Sequence, residues 1–126
     1  MNDEQSILYS IRIERAREPG LPEGSAADGY EFTAPLNAEG RIDAGTWRHK
    51  RDDCLVRRFR RNALDRGGWL RRKPGGAWFF DYDRTDDADD ETGFRFGEDA
   101  FVVGEYVSLR EEDGMHTYRV VLVEPV

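Results

Sequence analysis

The sequence is poor in the residues that carry most enzyme chemistry. A single cysteine among 126 residues forbids an internal disulfide, and two histidines offer few candidates for a metal cage or a general base. There is no CxxC, no pair of histidines at helical spacing, no Gly-x-Ser-x-Gly, and no glycine loop of either phosphate-cradling type. No apolar run approaches the roughly 18 residues that suggest a membrane span. The opening Met1-Asn2-Asp3-Glu4-Gln5-Ser6 lacks the basic and apolar regions of a signal peptide, so a cytoplasmic protein without a membrane partner is expected.

Charge and aromatic residues are present in quantity. Charged residues make up 36% of the chain and hydrophobic ones 38%, and 7 Phe, 5 Tyr and 3 Trp argue for a cooperative core over disorder. The length suits one domain spanning 1–126. The net charge of −7 is unevenly spread: residues 1–40 carry −5, residues 41–80 carry +8 and residues 81–126 carry −10. Such a division marks either a surface for a charged partner or segments that neutralise one another.

Hydrophobic periodicity points to strands. Ile7 to Glu14 alternates, with Ile7, Tyr9, Ile11 and Ile13 on one face. Glu18 to Gly29 has two prolines and three glycines and reads as a long mobile loop, followed by a strand Tyr30–Ala34 that Pro35 closes. Asp43 is placed to cap a short helix running through Ala44, Trp47 and Lys50 to about Asp53. Cys54–Arg61 suits a strand. Trp69–Lys73 and Ala77–Tyr82 form a hairpin about Pro74-Gly75-Gly76, sending Trp78, Phe80 and Tyr82 to one face. Asp83 to Gly93 reads as an acidic loop, and Phe94-Arg95-Phe96 as a short strand. Gly97-Glu98-Asp99 then turns into Phe101-Val102-Val103. The chain ends in a hairpin in which a strand Gly104–Arg110, entered through the glycine, turns through Glu111-Glu112-Asp113-Gly114 into Met115–Val123, with His116, Tyr118, Val120 and Leu122 on one face. About six to seven short strands and one helix predict a mostly-β fold, a small antiparallel barrel or an SH3-like or sandwich sheet.

Three constellations are candidates for function. Arg57, Arg58, Arg60 and Arg61 flank Phe59, and Arg66, Arg71, Arg72 and Lys73 surround Trp69; cations between aromatics can track phosphates while the rings stack on bases, so this strip is a candidate single-stranded nucleic-acid site. A solvated or internally paired basic face is the competing reading, and the acidic whole chain favours it. Asp81, Asp83, Asp87 and Asp89 fall at the odd spacings of a calcium loop, but the sixth position is Asp86 instead of Gly and the twelfth is Thr92 instead of Glu. The segment 81–91 is therefore read as suited to weak divalent-cation association. Cys54 with His49 or His116 is the one conceivable nucleophile and base, though a lone cysteine in a strand is usually a small buried hydrophobe.

Gly20 to Phe32, Arg95-Phe96-Gly97, Gly104-Glu105-Tyr106-Val107-Ser108, His116 to Val121 and the Glu124-Pro125-Val126 end together resemble a family of small, acidic bacterial proteins to which no activity is assigned. That resemblance implies no catalytic or binding residues. The glycine-led strand, acidic turn and Val-rich return strand are also similar to the closing hairpin of SH3-like barrels, a likeness that does not fix function. The expectation is a non-enzymatic binding module without a cofactor, whose partner is a protein or a second copy of the chain. Single-stranded nucleic acid is the alternative.

Overall fold

The structure is a computed structural model that describes residues 7–82, 91–94 (backbone only), 99–111 and 113–126. The mostly-β fold with one short helix expected from the sequence is present. Eight strands, β1 (Ile7–Arg15), β2 (Ser25–Leu36), β3 (Leu55–Arg60), β4 (Ala63–Arg72), β5 (Trp78–Tyr82), β6 (Glu91–Phe94), β7 (Tyr106–Glu111) and β8 (Gly114–Pro125), follow one another around a closed antiparallel barrel. Each strand pairs with its neighbours in sequence, and β8 closes the ring on β1 from Tyr9↔Pro125 to Arg15↔Tyr118. Closure removes the free sheet edges at which strands from other chains pair.

Alternation along the strands sets what faces inward. Ile11 and Ile13 of β1, Tyr30 and Phe32 of β2, Leu70 of β4, Phe80 of β5, Leu109 of β7 and Val120 of β8 are all essentially inaccessible to solvent. Their rings pack at tilted or edge-on angles: Tyr30 lies 5.1 Å from Phe80, and Phe32 lies 5.3 Å from Phe80 and 5.5 Å from Phe101.

At one end of the barrel, helix α1 (Ala44–Lys50) follows β2. Asp43 caps it, its carboxylate accepting from the Gly45 and Thr46 N–H groups. The apolar side of α1 drives Trp47 edge-on against Trp78, and the Trp47 indole N–H donates to the Leu70 carbonyl at 3.0 Å. A 3-10 turn, Arg51–Asp53, carries the chain on to β3. Phe101, tied by its N–H to the Gly40 carbonyl, is buried at the same end. Val102 and Val103 beside it are exposed instead of forming the start of a strand.

Three local expectations are corrected. The loop expected over 18–29 is shorter, because β2 begins at Ser25: an irregularity at Glu14/Arg15 lets Ser25 to Gly29 continue the ladder with β1, and a small bridge between Glu18 and Leu21 folds the remaining turn. Pro35 does not close β2: it stays in the ladder opposite Leu8 of β1, its carbonyl accepts from the Asp43 N–H, and the strand runs on to Leu36. In β8 a bulge shifts the register between Arg12↔Leu122 and Ile13↔Val120, so Val121 is an extra residue and Val123, not Leu122, packs toward the core. Arg95 and Phe96 of the expected 94–96 strand lie outside the described residues.

Candidate functional site

The basic strip read as one surface is divided by the pleat of β3 and β4. On β3, Val56 and Arg58 point inward while Leu55, Arg57 and Phe59 point outward. Phe59 lies on the outer wall but is covered there, with the Arg12 guanidinium 4.3 Å and the Arg57 guanidinium 5.1 Å from its ring centre. Carboxylates hold both cations: Arg12 pairs with Glu14 at 2.7 Å and with Glu31 at 2.6 Å, and Arg57 pairs with Glu31 at 2.7 Å and with Asp65 at 2.6 Å. The hydrogen bonds from Arg57 to Glu31 and Asp65 hold the Glu31 carboxyl below, and Arg57 above, their usual ranges. Arg60 donates to the Leu64 carbonyl, and Arg61 donates to Ser25 Oγ and, through its backbone N–H, to Asp28. Arg57 and Phe59 are thus engaged within the molecule, the internally paired alternative weighed from the sequence.

Inside the barrel, at the end opposite α1, a buried carboxylate gathers the polar groups. Glu111 ends β7 with the inward parity of Val107 and Leu109. Its Oε2 accepts hydrogen bonds from the Tyr30 hydroxyl at 2.6 Å and from the Tyr118 hydroxyl, while Arg58 Nη2 lies 3.2 Å from its Oε1. Burial, reinforced by the neighbouring Glu111, keeps the Tyr118 phenol protonated well above its ordinary range, and burial does the same for Tyr30. Above this core, His116 Nε2 is 2.7 Å from Asp113 Oδ1 and 3.9 Å from Glu111 Oε1. Its Nδ1 meets both the Arg15 guanidinium at 2.6 Å and the Glu18 carboxylate at 3.1 Å, so a neutral ring accepts from Arg15 and a protonated ring donates to Glu18. Burial opposes charge on His116, but the hydrogen bonds to Asp113 and Glu18 outweigh it and hold the imidazole above its usual value.

Among the described residues, Glu111, Asp113 and His116 offer donor atoms within 4.8 Å of one another and are placed to hold a cation. Glu111 is already satisfied by two hydroxyls and a guanidinium, so an ion there would have to displace the Asp113 contact of His116. Of the acidic segment, Asp81 sits on β5 opposite Trp69, and Asp83, Asp87 and Asp89 lie outside the described residues. Cys54 is buried, its thiol directed at the Lys50 carbonyl, and burial pushes its pKa up to about 12, which leaves almost no thiolate at neutral pH. His49 is exposed on α1, and His116 belongs to the Glu111 cluster.

The rest of the strip, Trp69, Arg71, Arg72 and Lys73, lies toward the α1 end. Trp69 and Arg71 are half-buried on the outer wall with the guanidinium 5.6 Å from the indole, and Arg71 bridges to the Arg51 carbonyl at 3.1 Å. Arg72 lies 5.5 Å from the Trp78 ring and Lys73 5.2 Å from the Phe79 ring. Arg48 and Arg51, which the sequence reading passed over because they belong to the helix and its exit, join Arg72 and Lys73 around one cleft. Glu111 and Arg58 were also missed as partners, although the parity of Val107, Leu109, Glu111 and of Val56, Arg58 carries the signal that both point inward. No family model matches the chain, and no curated protein or solved structure matches it either.

Proposed function

We propose that the protein is a non-enzymatic binding module that meets its partner on the outer surface of a filled barrel. The interior carries this reading. Barrels that bind small molecules keep a lumen for them; here Tyr30, Phe32, Leu70, Phe80, Leu109 and Val120 fill the interior, and the one strongly buried carboxylate among the described residues is consumed by Tyr30, Tyr118 and Arg58. A thiol held protonated and an imidazole bound on both ring nitrogens leave no free nucleophile and base pair among the described residues. A lone buried cysteine also suits a reducing compartment, in keeping with a cytoplasmic setting. The partner is therefore a macromolecule that reads charge and shape on the wall or ends of the barrel.

NMR of the isotope-labelled protein titrated with dodecanoate, a compact apolar probe, tests the reading. Resonances of Leu70, Leu109 and Val120 should stay in place. A saturable shift of these interior methyls would mean that the barrel opens to a ligand and would remove the proposal.

A further inference from the structure

The α1 end of the barrel collects cations that nothing in the described structure neutralises. Arg48, Arg51, Arg72 and Lys73 line a cleft of about 540 Å³ around the Pro74–Gly76 turn, and no carboxylate lines it. None of the four forms an ion pair with a described residue, whereas Arg12, Arg15, Arg57 and Arg58 are all matched to Glu or Asp. Lys50 extends the same charge along the last turn of α1. One cation there would serve the helix dipole; the addition of Arg51, Arg72 and Lys73 goes beyond that need. Asp52 of the 3-10 turn is exposed and lies 3.8 Å from Arg71, which does not line the cleft.

Tertiary contacts build this cluster from two separate segments. The Trp47 indole bonds the Leu70 carbonyl, Leu70 N–H bonds the Cys54 carbonyl, and Arg71 bonds the Arg51 carbonyl, which together clamp the helix and its exit against the end of β4. Arg72 is held across the Trp78 face with its guanidinium so close to Gly76 that a side chain there would press on it at 3.3 Å. Phe79 stands beside the cleft as a half-buried ring 5.2 Å from Lys73, and Trp69, half-buried on the same outer wall next to Arg71, borders the neighbouring hollow with Leu55 and Asp65. The described flanks of the acidic run, Tyr82 and Glu91, belong to the opposite end of the barrel.

Unneutralised cations in a cleft answer to closely spaced phosphates, and adjoining aromatic rings answer to unpaired bases. We propose that this end of the barrel binds single-stranded nucleic acid, its phosphates on Arg48, Arg51, Arg72 and Lys73 and its bases against Trp69 and Phe79. The proposal rests on the reading that the partner is met on the outer surface. It moves the site away from Arg57 to Arg61 and onto residues that only the fold brings together.

Fluorescence anisotropy with labelled oligo-uridine and oligo-thymidine, at about 50 and about 200 mM salt, tests it. Saturable binding should weaken with a log–log salt slope of about −2 to −3, the value for three or four phosphates on a single strand. Arg51→Glu with Lys73→Glu should weaken binding by more than about tenfold, since each reversal replaces a phosphate contact by repulsion. Arg119→Glu, exposed on β8, should change it by less than about twofold. Phe79→Ala should weaken binding while leaving the salt slope alone. Circular-dichroism melts establish that each variant is folded. Absence of binding at the lower salt, or binding that the double charge reversal leaves intact, overturns the proposal. Equal competition by inorganic polyphosphate with no effect of Phe79→Ala also overturns it, because the site would then read charge alone. Any of these failures leaves the outer-surface reading standing, since that reading falls only if the interior methyls respond to dodecanoate.

Discussion

Gly29 lies opposite Phe59 in the β2–β3 ladder, and the edge of the Phe59 ring fills the space where a Gly29 side chain would begin. A Cβ at position 29 would fall 2.9 Å from Phe59 Cζ and on top of the Ile13 carbonyl oxygen, which is backbone and cannot swing aside. The bare glycine lets Phe59 lie flat on the barrel under Arg12 and Arg57. Gly29→Ala should therefore cost about 3 kcal/mol, at the upper end for overpacking, measured as a lowered urea midpoint. A midpoint within error of the parent would mean that the strands separate freely here.

Neighbouring glycines in β4 should behave in opposite ways. A Cβ on Gly68 would collide with the Asp81 carbonyl oxygen of β5, while one on Gly67 would meet nothing nearer than the Val56 carbonyl at 3.7 Å. Gly68→Ala should destabilise by about 2–3 kcal/mol, and Gly67→Ala should be neutral or stabilise by up to about 1 kcal/mol through the unfolded chain. Thermal melts of the two variants side by side decide the matter; similar losses in both would contradict the β4–β5 register.

Removing the buried carboxylate should be among the most damaging polar changes. Glu111→Ala takes its Glu111 ion pair from the buried Arg58 and the shared acceptor from two tyrosine hydroxyls, a loss of about 3–5 kcal/mol. Glu111→Gln retains an oxygen acceptor and should lose less. The order of the two denaturation midpoints is the readout, and a Gln variant as unstable as the Ala variant would show that charge on Glu111 matters more than its hydrogen bonds.

His116 should give the protein a stability that declines above neutral pH. Its folded-state value is raised above the ordinary 6.5, so its contribution is complete below 6.5 and is lost as pH rises through the raised value. Glu18, lowered by its hydrogen bond from Arg15, and Asp113, lowered by its hydrogen bond from His116, act in the other direction: their contributions hold above the ordinary carboxylate range and are lost as acid protonates them. Urea midpoints between about pH 6 and pH 8 should fall in the parent and run flatter in His116→Gln. Parallel profiles would show that the ring titrates alike in both states.

Cys54 should resist labelling in the folded protein. Its thiol is buried and held near 12, so reaction with a thiol reagent should require unfolding, and the rate should follow urea concentration through the main transition. Rapid labelling without denaturant would show that the start of β3 opens locally.

Local chemistry made much of this fold legible in the sequence. Alternation set the inward faces of β1 and β5, Asp43 announced the start of α1, and the Asp113-Gly114 turn placed the last hairpin, because each of these is a contest among near neighbours. The Val121 bulge and the early start of β2 at Ser25 were not legible, since both are fixed by what β1 offers from across the barrel. The same holds for function. Charge counting found the basic third of the chain, but strand pleat and cross-barrel pairing determined which of its cations are spent. Glu31, Asp65 and Glu111 take Arg57 and Arg58, while the packing of Trp47 under β4 sets Arg48 and Arg51 beside Arg72 and Lys73. Composition and periodicity are properties of the chain alone, and so the sequence determined a charged, mostly-β molecule with one capped helix. Neutralisation of a charge depends on distances between segments remote in sequence, which exist only once the barrel has closed, and the tertiary structure alone decided where positive charge is left over.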